Sequence, residues 1–205
     1  MTGRGTPRIR AVHQGELFRR LCHRLPAEPP AGRPEGLQPA AVLIPLLDHP
    51  EELQVLFTRR TGHLSRHAGE ICFPGGSMER GDSGPLHTAL RETREELGLA
   101  TELLHPLGYL PAYCSRSGFH ITPVVALLAA EPALTPDPSE VEEVFEVPLS
   151  WLIQPHHYRE CRIEVGGKIH RYHEIRYGEY RIWGVTAGIL RLLVEILTKD
   201  LPISQ

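Results

Sequence analysis

Between positions 91 and 96 the chain reads Arg91-Glu92-Thr93-Arg94-Glu95-Glu96, with Gly98 shortly after. On a helix, at about 100° per residue, Glu92 and Glu96 lie one turn apart and Glu95 sits beside them. Three carboxylates crowded in this way repel one another unless a cation lies between them. Ligation by oxygen alone suits the hard ions Mg²⁺ or Mn²⁺ rather than zinc. Arg91 precedes Glu95 by four positions and can pair with it. The rival reading is an ordinary exposed helix face, for which Arg91 and Arg94 supply salt-bridge partners.

The elements that must position these groups follow from pattern. A helix is expected to begin after Gly84-Pro85, where proline is tolerated in the first turn, and to stop at Gly98. Leu86, Leu90, Thr93 and Leu97 recur at helical spacing, which directs one face to a core and leaves the three glutamates on the opposite side. Ala40–Leu47, Leu53–Thr58, Leu107–Leu110, Ile121–Leu128 and Val144–Val147 read as strands, the first two as a hairpin. Gly75-Gly76 reads as a tight loop. Ile163–Val165 and Ile169–Tyr172 flank Gly166-Gly167 as a second hairpin, and a helix is expected over Thr186–Thr198. The order implies an α/β (α+β) fold in which a mixed β-sheet is sandwiched between α-helices. Residues 1–39 are expected to form a basic helix and a proline-rich linker (Pro26–Pro39), residues 40–199 the one folded domain, and residues 200–205 a tail.

Composition limits the partners. Hydrophobic residues make up 41% and charged residues 23% of the 205, with a formal net charge of −3. That balance gives no positive field for nucleic acid, and no apolar run reaches the roughly 20 residues of a membrane helix. Cys22, Cys72, Cys114 and Cys161 are scattered without a C-x-x-C pair and read as free thiols of a reducing compartment. The twelve histidines show no metal-ligand spacing on a helix. Arg4, Arg8, Arg10, Arg19, Arg20 and Arg24 face a single acid, Glu16. A mitochondrial presequence looks similar, but Val12, Leu17, Phe18 and Leu21 supply the apolar face of a domain helix. A cytoplasmic protein is expected, with the mitochondrion as the alternative.

The segment Arg91-Glu92-Thr93-Arg94-Glu95-Glu96-Leu97-Gly98-Leu99, with Gly76 ahead of it, resembles the signature of the Nudix hydrolases, G-x5-E-x7-R-E-U-x-E-E-x-G-U. Gly76 to Arg91 is one residue longer than the pattern. Asp82, with Glu79 nearby, stands for its first glutamate, and Thr93 for a bulky apolar residue. The coenzyme A pyrophosphatase branch of that family carries a longer loop here and an upstream pattern resembling L-L-T-x-R-(S/A)-x3-R-x3-G-x3-F-P-G-G. Leu56-Phe57-Thr58-Arg59-Arg60-Thr61 leads through Gly69 to Phe73-Pro74-Gly75-Gly76 in the same register. Phe57, Thr61 and Ser65 depart from it, the last where arginine is expected, with Arg66 adjacent. Blocks at 118–125, 140–149 and 182–187 also look like this branch.

The resemblance implies hydrolysis of the diphosphate of coenzyme A or acyl-CoA to 3′,5′-ADP and (acyl-)4′-phosphopantetheine, with Mg²⁺ or Mn²⁺. It implies Glu92, Glu95 and Glu96 as metal ligands and Arg91 as the residue that orients a glutamate. Arg59, Arg60 and Arg66 form, with His63 and His67, a basic cluster for phosphates, and Gly76 allows close backbone approach. A general base can come from Glu140, Glu142 or Glu143, and Glu143 is expected among the catalytic residues. The expected partner is a small molecule, with a homodimer left open. Two rivals stand beside this: another nucleotide diphosphate such as ADP-ribose or NADH, and a non-catalytic module that binds coenzyme A or a nucleotide.

Overall fold

The computed structural model describes residues 15–63 and 67–199. Expectations placed on Arg4, Arg8, Arg10, Val12, Arg66 and the tail 200–205 lie outside these residues. Helix α1 (Glu16–Arg24) turns Leu17, Phe18 and Leu21 toward the core. Two of its basic side chains cap another helix. Arg20 and Arg24 donate from Nη1 to the carbonyls of Leu197 and Ile196, at 3.2 and 2.8 Å, where a helix end leaves acceptors without partners.

Strand β1 (Gln38–Asp48) takes in Gln38 and Pro39, which the sequence assigned to the linker. It forms the expected antiparallel hairpin with β2 (Leu53–Arg60), Leu46 facing Val55. Short β3 (Ile71–Cys72) lies on β2, and β4 (Gly75–Ser77) lies on β1 with Gly76 facing Ala41. Gly75 and Gly76 are therefore strand residues and not a loop. Helix α2 (Pro85–Leu97) follows, then β5 (His105–Tyr109), β6 (Tyr113–Cys114) and β7 (Phe119–Ala129). β7 runs parallel to β1 along all eleven residues, from Gln38 opposite Phe119 to Asp48 opposite Ala129. β8 (Val141–Pro148) is antiparallel to β2 and leads into α3 (Leu149–Leu152). β9 (Arg159–Val165), β10 (Lys168–Tyr177) and β11 (Tyr180–Trp183) make a second, antiparallel sheet, and α4 (Gly184–Thr198) ends the described fold.

The larger sheet is mixed, eight-stranded, with the central order β3-β2-β1-β7-β5. Both its faces are covered, which is why β1 is apolar without interruption. Ala40, Ile44 and Leu46 point into one core, completed by Leu190, Leu193 and Leu197 of α4 and Leu21 of α1. Ala41, Leu43 and Leu47 point into the other, completed by Ala89 and Leu97 of α2. Burying each leucine contributes roughly 2 kcal/mol. The sheet sandwiched between helices is thus present, and it presses α2 against β1 and β4.

Candidate active site

Pro85 opens α2, and Gly98 closes it in the left-handed conformation (φ 63°), its N–H reaching the Arg94 carbonyl at 2.9 Å. The buried stripe is Ala89, Thr93 and Leu97, with Leu86 and Leu90 only half-buried. Thr93 stands where a bulkier residue is usual because its hydroxyl donates to the Ala89 carbonyl at 2.7 Å, which leaves a polar atom satisfied in the core.

The expectation that all three glutamates share the outer side needs correction. Their side chains are 17%, 53% and 3% exposed for Glu92, Glu95 and Glu96. The flank carrying Glu92 and Glu96 is covered by β4 and by the segment that leads into β8. Gly76 abuts the Glu92 carboxylate so closely that a Cβ there would overlap it. Thr135 and Asp137 donate their N–H groups to the carbonyls of Leu97 and Glu96 at 2.8 and 2.9 Å. Asp137 then turns the chain, accepting from the N–H and hydroxyl of Ser139 and, at its carbonyl, from the N–H of Glu140. The loop is fastened to the helix end, and Glu140 arrives beside Glu96.

Arg91 is the hub of the acids. It donates to Asp82 through Nε and Nη2 at 3.2 and 3.1 Å, to the Ser77 carbonyl at 3.1 Å, and lies 2.9 and 3.1 Å from Glu92 and Glu95. Asp82 also accepts from the Glu79 N–H and the Thr88 hydroxyl and meets His87 Nδ1 at 2.7 Å. The Arg91 guanidinium holds the Asp82 carboxyl well below its usual range, helped by the Glu79 N–H, His87 and Thr88 and opposed by burial. Glu79, 69% exposed and 3.8 Å from Arg91, is a peripheral member. Of the two acids in the long loop, Asp82 is the one that anchors Arg91.

Glu96 is the strained member. Its Oε2 is buried without a hydrogen-bond partner, and Arg60 approaches its other oxygen only to 3.7 Å. Burial pushes its carboxyl up to about 8, Arg60 opposes this, and the charges of Glu140 and Glu92 add to it. Glu92 is raised for the same first reason, with Arg91 opposing.

A cavity of about 330 Å³ opens beside this cluster. Its lining includes Arg60, Gly75 and Gly76 together with the apolar side chains of Phe119, Trp183 and Ile189. The two arginines at the end of β2 separate. Arg60 faces Glu96 and Glu140 (3.7 and 3.9 Å), while Arg59 pairs with Glu143 at 3.2 Å and lies over the Tyr180 ring. Glu143 also accepts from the Tyr180 hydroxyl at 2.6 Å. The structure therefore brings Arg60, Gly76, Glu92, Glu96 and Glu140 together and engages Arg59 and Glu143 with each other. Arg66 lies outside the described residues. Cys72, Ser115, Ser117 and Trp183 also line the cavity; they come from β3, the β6–β7 turn and β11, and no spacing in the sequence marks them as cavity residues. For Glu140 the signal was present in Asp137-x-Ser139, a turn that fixes where the next acid points.

The model of the NUDIX domain matches residues 36–177, more than half of the chain. The chain belongs to the Nudix family. A Pectobacterium atrosepticum protein named "Uncharacterized Nudix hydrolase NudL" is 41% identical over 166 residues, which cover 80% of this chain and 86% of that protein. The Yersinia enterocolitica protein of the same name is 40% identical over 156 residues, 76% of this chain and 80% of its own. Among solved structures, a MutT/nudix family protein from Enterococcus faecalis aligns over 83% of this chain and 65% of its own, with a TM-score of 0.49 and 17% identity. Membership supports pyrophosphohydrolase chemistry on a small nucleotide substrate. Among the described residues no helix is long and apolar enough to cross a membrane.

Nudix hydrolases generally use divalent metals, and the donor set here fits one. Among the described residues no three carboxylate, imidazole or thiol groups already converge as ion ligands; Arg91 lies against Glu92 and Glu95, and Arg60 faces Glu96 and Glu140. A partnerless, buried carboxylate oxygen on Glu96, facing the charges of Glu92 and Glu140, is an arrangement that a cation there would relieve.

Proposed function

We propose that this Nudix hydrolase cleaves the diphosphate of coenzyme A or an acyl-CoA. Water adds to one phosphorus, the bridging P–O bond breaks, and the products are 3′,5′-ADP and 4′-phosphopantetheine or its acyl derivative. The observation that carries the substrate assignment is the mixed lining of the cavity. Its volume falls at the lower end of the range for small-molecule sites, about 300–1,000 Å³. Arg60 in that lining suits a phosphate, and Phe119, Trp183 and Ile189 suit a long, thin arm. The upstream Leu56–Gly76 pattern supports the same substrate.

Glu92, Glu95 and Glu96 would hold Mg²⁺ or Mn²⁺. When bound, such an ion lowers the pKa of a coordinated water and offsets charge on the phosphate oxygens. Arg91, anchored by Asp82, orients Glu92 and Glu95. Arg60 contacts the diphosphate, and Gly76, having no side chain, leaves open the space that the Glu92 carboxylate fills. Positioning and charge complementarity carry most of phosphoryl transfer, so little else is asked of the chain.

Coenzyme A, acetyl-CoA, ADP-ribose and NADH, each with Mg²⁺ or Mn²⁺ and with products identified by mass, test the assignment. Coenzyme A or its thioester should turn over fastest and give the two fragments named. Faster cleavage of ADP-ribose or NADH would reject the substrate. Tight coenzyme A binding with no turnover of any compound would show a binding module instead.

A further inference from the structure

Among the described residues the smaller sheet ends in an open edge. β9 is hydrogen-bonded on one side, to β10, and the register runs unbroken from Arg159 opposite Glu174 to Val165 opposite Lys168. Exposed edges are usually blunted by shortness, proline, a bulge or charged side chains, lysine above all. β9 is seven residues long, its ladder has no bulge, and its sequence, Arg159-Glu160-Cys161-Arg162-Ile163-Glu164-Val165, holds neither proline nor lysine; its charges are two arginines and two glutamates, which resist most partner strands but not one that presents the opposite charges in register. Ile163 and Val165 are 48% and 47% exposed along it. Such an edge offers a row of backbone donors and acceptors to another strand.

The charges identify that strand. Arg162 and Glu164 flank Ile163 with opposite sign, and among the described residues Glu164 has no ion pair, while Arg162 reaches Glu160 only at 3.9 Å. In an antiparallel pair, directly opposed side chains share a face and interact. If a second copy pairs about a twofold axis at Ile163, each Arg162 opposes the other copy's Glu164, Ile163 meets Ile163, and Cys161 meets Val165. An axis at Arg162 would oppose Arg162 to itself and Glu160 to Glu164, all like-charged. An axis at Cys161 would match Glu160 with Arg162 but place the Arg159 charge on Ile163. One register satisfies both charge and apolar character.

We propose that β9 is a homodimer interface, in which two copies pair antiparallel about a twofold at Ile163 and their three-stranded sheets become one continuous sheet. An interface built on one strand is small, so a dissociation constant of about 1–100 µM is expected. The assembly does not depend on which diphosphate is cleaved.

Sedimentation equilibrium of the full chain, across roughly 1–500 µM, reads the association. The wild type should show a reversible monomer–dimer equilibrium. Arg162→Glu and Glu164→Arg each create like-charged pairs at both positions and should weaken it by about tenfold or more. The double variant Arg162→Glu/Glu164→Arg should recover association, and an equimolar mixture of the two single variants should form the heterodimer. Circular dichroism on each variant checks the fold, which substitutions at these exposed positions leave intact. A wild type that stays monomeric overturns the proposal. So does a dimer indifferent to both single variants, a dimer sensitive to Arg162→Glu but not to Glu164→Arg, or a double variant and mixture that fail to recover association.

Discussion

Arg91 grips Asp82 with two nitrogens, at 3.2 and 3.1 Å, while a third, Nη1, faces Glu92 and Glu95 at 2.9 and 3.1 Å. The guanidinium is thereby pinned from behind and presents its free edge to the acids. Asp82→Asn should leave the helix intact and lower kcat by about tenfold, the usual cost of losing a supporting partner. Steady-state rates on the cleaved diphosphate, with circular dichroism for the helix, measure this.

The same pair makes a statement about pH. Asp82 has its folded-state ionisation depressed, first by Arg91. Its stabilising contribution is therefore complete above the ordinary carboxylate value, about 3.8, and is lost as pH falls below that toward the lower folded value. Urea unfolding of wild type and Asp82→Asn should differ by a constant amount from pH 5 to 7, and the gap should narrow from about pH 4 downward. A gap that widens on acidification would contradict the depressed ionisation.

Gly76→Ala places a methyl group in the volume of the Glu92 carboxylate. The backbone of β4 is fixed by its pairing with β1, so the glutamate must give way. Activity should drop by about 10- to 100-fold, because a misplaced ligand costs most in the transition state. The unfolding midpoint should change little by comparison.

Glu96→Gln separates activity from stability. Glutamine cannot ionise, so it carries none of the cost of placing a charge on a buried side chain with no hydrogen-bond partner on Oε2 and two acidic neighbours. The variant should melt at or above the wild-type temperature while its rate falls by about 100-fold or more. Mn²⁺ titration followed by electron paramagnetic resonance should show weakened binding. Full activity in this variant would remove Glu96 from the metal ligands.

Glu140→Gln and Glu143→Gln discriminate between two acids three positions apart. Glu140 faces Glu96 and Arg60, whereas Glu143 is held by Arg59 and the Tyr180 hydroxyl. The first should lose about 10-fold or more in rate. The second should stay within a few-fold of wild type and lose about 1 kcal/mol of stability with its clamp.

The long strands were legible because burial on both faces writes an uninterrupted apolar run, as in Ala40–Leu47 and Ile121–Leu128, and α2 was legible from its proline, its stripe and Gly98. β3, β4 and β6 were not, since strands of two or three residues are created by their partners; Gly76 is a strand residue only because β1 lies beside it. The acids of the helix could be read from spacing, but their exposure could not. Spacing places Glu96 near Glu92, whereas the loop anchored at Asp137 decides that Glu96 is buried. Likewise Arg59 and Arg60 are neighbours in sequence, but side chains alternate along a strand, so Arg59 meets Glu143 across the β2–β8 ladder while Arg60 faces Glu96 and Glu140.

The amides of Thr135 and Asp137 close on the last carbonyls of α2, and the turn that follows delivers Glu140. Helix and loop consequently behave as a single bracket. Any displacement of α2 against the sheet would carry Glu140 along with Glu92 and Glu96, so the spacing among the acids would be kept. The extra residue ahead of Pro85 falls upstream of this bracket, where added length bends a turn and leaves the bracket undisturbed.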